Sequence, residues 1–146
     1  MERRQFVTAV GALVAATAAS EALAEESRAE HHHHGGGAKY KALFESSGKC
    51  VSTGEECLRH CFETLAANDA SMGACAKSTY ELVAACKTLA TFAGTSSSFT
   101  PAFAKIVADV CIACKKECDK FPNVAECKAC GDACQACAEE CKKIAA

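Results

Sequence analysis

Cys127-Lys128-Ala129-Cys130-Gly131-Asp132-Ala133-Cys134-Gln135-Ala136-Cys137-Ala138-Glu139-Glu140-Cys141 is the stretch whose reading decides the fold. Its cysteines step by 3, 4, 3 and 4 residues, the rhythm of one seam along a helix. At the α-helical rise the row is about 21 Å long. Lys128, Asp132, Gln135, Glu139 and Lys142 fall on the opposite face. A core-facing seam ordinarily carries Leu, Ile or Val. Here thiols take their place.

The same rhythm runs backwards through the chain. Ala104, Val107, Cys111, Cys114 and Cys118 share a face of a helix expected to start at Pro101, with Thr100 as its N-cap, and to end at Phe121-Pro122. Cys75, Thr79, Leu82, Cys86 and Leu89 share a face of a helix over about Ser71–Ala93, with Gly94 as the expected stop. Cys50, Gly54, Cys57 and Cys61 share a face of a helix over about Lys39–Ala67, broken at Asn68-Asp69. The last helix is expected to open at Asn123, with Glu126 completing a capping box. Short loops make consecutive helices antiparallel neighbours. The expected fold is therefore all-α, an antiparallel up-down-up-down four-helix bundle with a cysteine-lined core, over residues 39–146.

That topology sorts residues by height. His60, Cys61, Met72, Cys75, Cys118 and Cys127 are expected at one end, which is rich in soft ligands. Tyr40, Leu43, Phe44, Leu89, Phe92, Phe99, Phe103 and Ile144 are expected to plug the other. Small residues beside the seam (Gly54, Ala129, Gly131, Ala133, Ala136 and Ala138) leave room between the helices.

Composition agrees with helices. The chain of 146 residues has two prolines and no tryptophan, and alanine, the best helix former, is abundant. The formal charge of −2 and the absence of a basic stripe argue against a nucleic-acid partner. Ser96 to Ser98 lie in a loop with no histidine in the same region, and no carboxylate pair is placed for acid–base work, so no enzyme is expected.

Residues 1–24 read as an export signal. Arg3 and Arg4 precede an Ala-rich apolar run that ends at Ala22-Leu23-Ala24, a small-x-small cleavage pattern. Arg3-Arg4-Gln5-Phe6-Val7 resembles the bacterial twin-arginine signal, with Glu2 where Ser or Thr is usual. The apolar run is too short for a stable membrane span. Residues 25–38, with His31-His32-His33-His34 before three glycines, read as a flexible His/Gly-rich leader, its histidines either a cloning remnant or a natural tract that catches metal loosely.

Thirteen inward thiols are Cys50, Cys57, Cys61, Cys75, Cys86, Cys111, Cys114, Cys118, Cys127, Cys130, Cys134, Cys137 and Cys141. An odd count leaves one thiol over if they pair. A disulfide needs Cβ atoms about 3.8 Å apart, whereas helical neighbours at these steps stand about 5–6 Å apart. Cross-helix staples remain possible in an exported chain. A two-coordinate ion between thiolates needs sulfurs on the order of 4 to 4.5 Å apart if each bond is near the zinc–thiolate length, and such spacing suits these rows. Soft thiolates select Cu(I), zinc or iron–sulfur clusters. An evenly spaced tube is expected to offer no separate four-cysteine group for tetrahedral zinc. Iron–sulfur motifs sit on loops rather than in helical register. Thirteen thiolates with thirteen monovalent ions sum to zero charge, which a low-dielectric core tolerates. The favoured cargo is therefore many Cu(I) ions per chain. A zinc- or cadmium-buffering protein and a disulfide-stapled structural bundle are the alternatives.

Inward C-x2-C and C-x3-C rows on four helices, behind a twin-arginine-like signal, resemble the bacterial copper storage proteins. The likeness is nearest to the exported members of methane-oxidising bacteria. The resemblance implies Cu(I) storage along the core, a homotetramer of bundles, and supply of copper to cuproenzymes such as the membrane methane monooxygenase. It also implies that soft residues at one mouth, here His60 and Met72, help copper in. Exported relatives carry further methionines there, where this chain has Thr64 and Ala67.

Overall fold

The computed structural model describes residues 39–145. The expected signal (1–24) and leader (25–38) lie outside them. Four helices account for the fold: α1 (Lys41–Ala66), α2 (Gly73–Gly94), α3 (Thr100–Cys118) and α4 (Ala125–Ala145), with a single 3-10 turn at Ala70–Met72. Each helix packs on two others, α1 on α2 and α4, and α3 on α2 and α4. Among the described residues no diagonal pair packs directly. The four therefore form a ring around a common axis, which is the up-down-up-down bundle that short loops dictate. Among the described residues no helix is long and apolar enough to cross a membrane.

The core is built mainly of sulfur and small side chains. All thirteen cysteines are buried, twelve with no exposed surface and Cys118 with 2%. Leu43, Leu82, Leu89 and Val107 are the large aliphatic side chains fully inside. Gly54, Gly131, Ala133 and Ala138 are buried as expected, whereas Ala129 and Ala136 face outward. At Gly54 a Cβ would stand 2.7 Å from Val83 Cγ2, so only glycine lets α1 and α2 approach this closely. The polar face of α4 is exposed and carries its own i,i+4 pairs, Lys128–Asp132 and Gln135–Glu139.

Local stops and starts depart from expectation in three places. Gly94 is still helical and has no positive φ; the left-handed residue is Ser96, at φ 52. The glycine serves packing instead, because a Cβ there would lie 3.3 Å from the Phe44 ring. Thr100 is the first residue of α3, not its cap. Its buried hydroxyl donates to the Phe92 and Ser97 carbonyls and fastens the α2–α3 loop. Helix α4 opens at Ala125, two residues past Asn123, and Glu126 pairs with Arg59 on α1 rather than closing a capping box. Asn68 and Asp69 do break the chain. Asn68 takes φ 63, and the Asp69 carboxylate accepts from the Ser71 amide.

The plug is partly as expected. Tyr40, Leu43 and Leu89 are buried, and Phe92 meets Phe103 edge to face at 5.5 Å. Phe44 and Phe99 are 49% and 68% exposed, so they only flank it.

Candidate metal centre

Each helix contributes sulfur because its cysteines fall on the a/d seam, and the ring of four helices aims the seams at one axis. The spacings then follow from height. Near the 3-10 turn, Cys57, Cys61 and Cys75 gather with all three sulfurs within 4.8 Å of one another. Cys57 Sγ lies 3.8 Å from Cys127 Sγ and 3.9 Å from Cys75 Sγ, and Cys75 Sγ lies 4.0 Å from Cys118 Sγ. Further along, Cys57 joins Cys118 and Cys130, and Cys130 joins Cys114 and Cys134. Toward the aromatic end, Cys50, Cys86, Cys111 and Cys137 form a four-sulfur group drawn from all four helices. Cys141 lies beyond it, with its closest thiol influence from Cys137.

That four-sulfur group corrects the expectation of no separate tetrad. Counting ligands along single helices gives two per site. The bundle instead brings one cysteine per helix to the same height. Tetrahedral zinc–thiolate bonds put sulfurs about 3.8 Å apart, so this one group suits a four-coordinate ion. The remaining groups are not separate: Cys57 and Cys130 each serve two of them, which suits ions bridged in a chain.

All thirteen thiols are free. The close contacts of 3.8–4.0 Å are nearly twice a disulfide bond length of about 2.05 Å. They approach the span of a linear thiolate–metal–thiolate unit.

The buried polar groups among the sulfurs are all satisfied. Thr79, fully buried, sits at a seam position with its hydroxyl 3.6 Å from Cys114 Sγ and 3.9 Å from both Cys57 and Cys75 Sγ. Ser47 donates to the Leu43 carbonyl and lies 3.9 Å from Cys137 Sγ. Cys50 Sγ lies 3.2 Å from the Ala133 carbonyl oxygen. Spacing alone puts Thr79 on the seam. Ser47 is a core neighbour that the sequence reading missed, although it lies three residues before Cys50 in the same row.

The thiols share protons unevenly. Burial pushes Cys61 and Cys127 up from the ordinary thiol value, reinforced by the neighbouring charge at Cys57. Cys86, Cys118, Cys134 and Cys141 are also raised, chiefly because their S–H groups are engaged by neighbouring sulfurs. Cys50 is lowered to about 5, its thiolate accepting S–H bonds first from Cys111 and then from Cys134. Cys57 and Cys137 are lowered in the same way, led by Cys118 and Cys111 respectively. The core thus holds most of its thiol protons, and a metal must displace them.

Met72 is buried at the expected end, 3% exposed on the 3-10 turn. His60 is half-buried, and among the described residues it joins none of the sulfur groups.

A family profile described as copper storage protein matches residues 36–146. The apo form of copper storage protein 3 from Bacillus subtilis is similar in structure, with a TM-score of 0.65 and 29% identity over 73% of this chain and 98% of that one. The Cu(I)-bound copper storage protein BsCsp3 is similar at a TM-score of 0.67 and 29% identity, over 74% of this chain and 100% of that one. Among curated protein sequences nothing matches.

Proposed function

The chain belongs to the copper storage protein family, and from that premise we propose that it stores many Cu(I) ions inside the bundle, about one per cysteine. The ligands are Cys50, Cys57, Cys61, Cys75, Cys86, Cys111, Cys114, Cys118, Cys127, Cys130, Cys134, Cys137 and Cys141. The observation that carries this reading is the shared sulfurs: groups that overlap at Cys57 and Cys130 form a continuous file rather than isolated pockets. Monovalent ions in equal number with thiolates keep that file neutral, whereas divalent loading at the same density would leave buried positive charge. The similar BsCsp3 structure is described as Cu(I)-bound. The role is storage without catalysis.

Competition of the reduced protein with a chromophoric Cu(I) chelator tests this. Uptake of about one copper per thiol supports storage. Saturation at one or two equivalents rejects it. The four-sulfur group Cys50/Cys86/Cys111/Cys137 favours a second reading, a zinc buffer. Three or four tightly held zinc ions with little Cu(I) capacity would establish that instead.

Finer parts of the proposal extend the resemblance. His60 and Met72 assist copper at the Cys61/Cys127 end. Residues 1–24 direct export by the twin-arginine route, and signal-swap fusions to a reporter test it. The bundle assembles as a homotetramer. Support comes from a face of α1 and α2 where Phe62 and Tyr80 are 54% and 67% exposed beside Leu58 and Val83; light scattering reads the mass. The stored copper supplies cuproenzymes such as the membrane methane monooxygenase, which a transfer assay to the copper-free enzyme tests.

A further inference from the structure

The thiols divide into two sections that meet at one residue. The inner group, Cys50, Cys86, Cys111 and Cys137, shares no member with the other sulfur groups, whereas those overlap at Cys57 and Cys130. The reason lies in α1 and α2. Neither carries a cysteine over the height between the sections: α1 skips from Cys50 to Cys57, and α2 from Cys75 to Cys86. Gly54, Thr79 and Leu82 stand there instead and close the two helices on each other. A Cβ on Gly54 would meet Val83 Cγ2 at 2.7 Å, Thr79 Cγ2 at 3.6 Å and Leu82 Cδ2 at 3.7 Å. Thr79 and Leu82 are fully buried. At this waist only α3 and α4 offer sulfur.

Cys134 spans the waist. It groups with Cys114 and Cys130 of the outer section. Its S–H is also engaged by Cys111 and Cys50 of the inner section. The Ala133 carbonyl oxygen beside it lies 3.2 Å from Cys50 Sγ, so α4 meets α1 closely at this height. Cys114 is the nearest alternative, but the thiols that engage it are Cys118, Cys130 and Cys134, none of them in the inner group. The far end of the inner section is plugged, with Tyr40, Leu43 and Leu89 buried there.

We propose that Cys134 is the transfer ligand of the store, through which copper arriving from the Cys61/Cys127 end reaches the inner sulfurs, Cys141 included. The proposal rests on the storage reading. A Cu(I) held between the Cys114 and Cys134 thiolates gains a bond to Cys111 Sγ as its bond to Cys114 breaks. Cys111 gives up a proton and Cys114 takes one up. Cys50 then replaces Cys134 in the same way, giving up a proton as Cys134 regains one. The ion ends between Cys111 and Cys50, and Cys134 is free for the next. Each step makes one Cu–S bond and breaks one, with charge and oxidation state unchanged. Release runs the same steps backwards.

The test follows Cu(I) uptake from a chromophoric chelator by the reduced full chain carrying Cys134→Ser. Serine keeps the shape but offers a hard oxygen in place of a soft thiolate. Capacity is expected to fall by about one ion, at one copper per thiol. The last part of uptake, belonging to Cys50, Cys86, Cys111, Cys137 and Cys141, is expected to slow several-fold while the earlier part keeps its rate. Cys141→Ser is the control, because it removes a ligand from the far end of the same helix. It should also lose about one ion, with the rest entering at the unaltered rate. An unslowed last part in Cys134→Ser, or equal slowing in Cys141→Ser, overturns the proposal. Should Cys134→Ser fail to fold, brief copper soaks of crystals of the unaltered chain decide. Anomalous peaks are expected at Cys57 and Cys130 before the inner group, and an inner group filled first overturns the transfer route. A low capacity in the unaltered chain refutes storage itself, whereas full capacity with unslowed Cys134→Ser refutes the role of Cys134 alone.

Discussion

Thr79→Cys should raise the copper capacity of the bundle. Thr79 occupies a seam position on α2 between Cys75 and Cys86, is fully buried, and points its hydroxyl at three sulfurs 3.6 to 3.9 Å away. A thiol placed there has three partners at nearly the separation that a linear thiolate–Cu(I)–thiolate unit needs, on the order of 4 to 4.5 Å. It also adds one negative charge, which one more Cu(I) cancels. Capacity should therefore rise by one ion, from about one for each of the thirteen native thiols. Thr79→Val is the companion. It removes the hydroxyl's hydrogen bonds without adding a ligand, so capacity should stay put while apo stability falls by about 1 kcal/mol. The assay counts thiols colorimetrically and then titrates Cu(I) against a chromophoric chelator on the same sample. An extra titratable thiol with no extra copper would refute the reasoning, because position 79 would then lie off the metal file.

Gly54→Ala should destabilise the apo bundle by about 1–3 kcal/mol in urea denaturation. The Val83 contact at 2.7 Å outweighs alanine's helix advantage of about 1 kcal/mol. Leu82→Ala, at a fully buried site, should cost about 2–5 kcal/mol in the same experiment. Apo stability should fall as pH rises above about 8.5, since the unfolded chain ionises its thiols there while raised groups such as Cys61 and Cys127 hold their protons in the fold. Below that pH their contribution is fully present. For the same reason Cu(I) uptake should weaken as pH falls, with protons released to the medium as metal enters; a pH-stat reads them directly.

Periodicity made the seams legible. The a/d spacing of Cys127 to Cys141 and of the rows on the other three helices put every cysteine inside, and the structure buries all thirteen. What periodicity does not give is the relative height of residues on different helices. The four-sulfur group at Cys50, Cys86, Cys111 and Cys137 depends on how the helices slide past one another, so no single-helix count could reveal it. Caps failed for a similar reason. Gly94 and Thr100 carry the residue types of a stop and a start, but tertiary neighbours put them to other uses: the Phe44 ring over Gly94, and the Phe92 carbonyl beside Thr100. Cys118 looks like any other seam cysteine in the sequence, and its contact with Gly131 on the facing helix is a pairing that sequence distance hides.

Anomalous diffraction at the copper edge from crystals of the loaded protein tests the central claim most directly. The account predicts a file of copper peaks along the bundle axis, each between cysteine sulfurs, running from Cys61 and Cys127 to Cys141. A single peak at the Cys50/Cys86/Cys111/Cys137 group, or copper bound only outside the core, would contradict it.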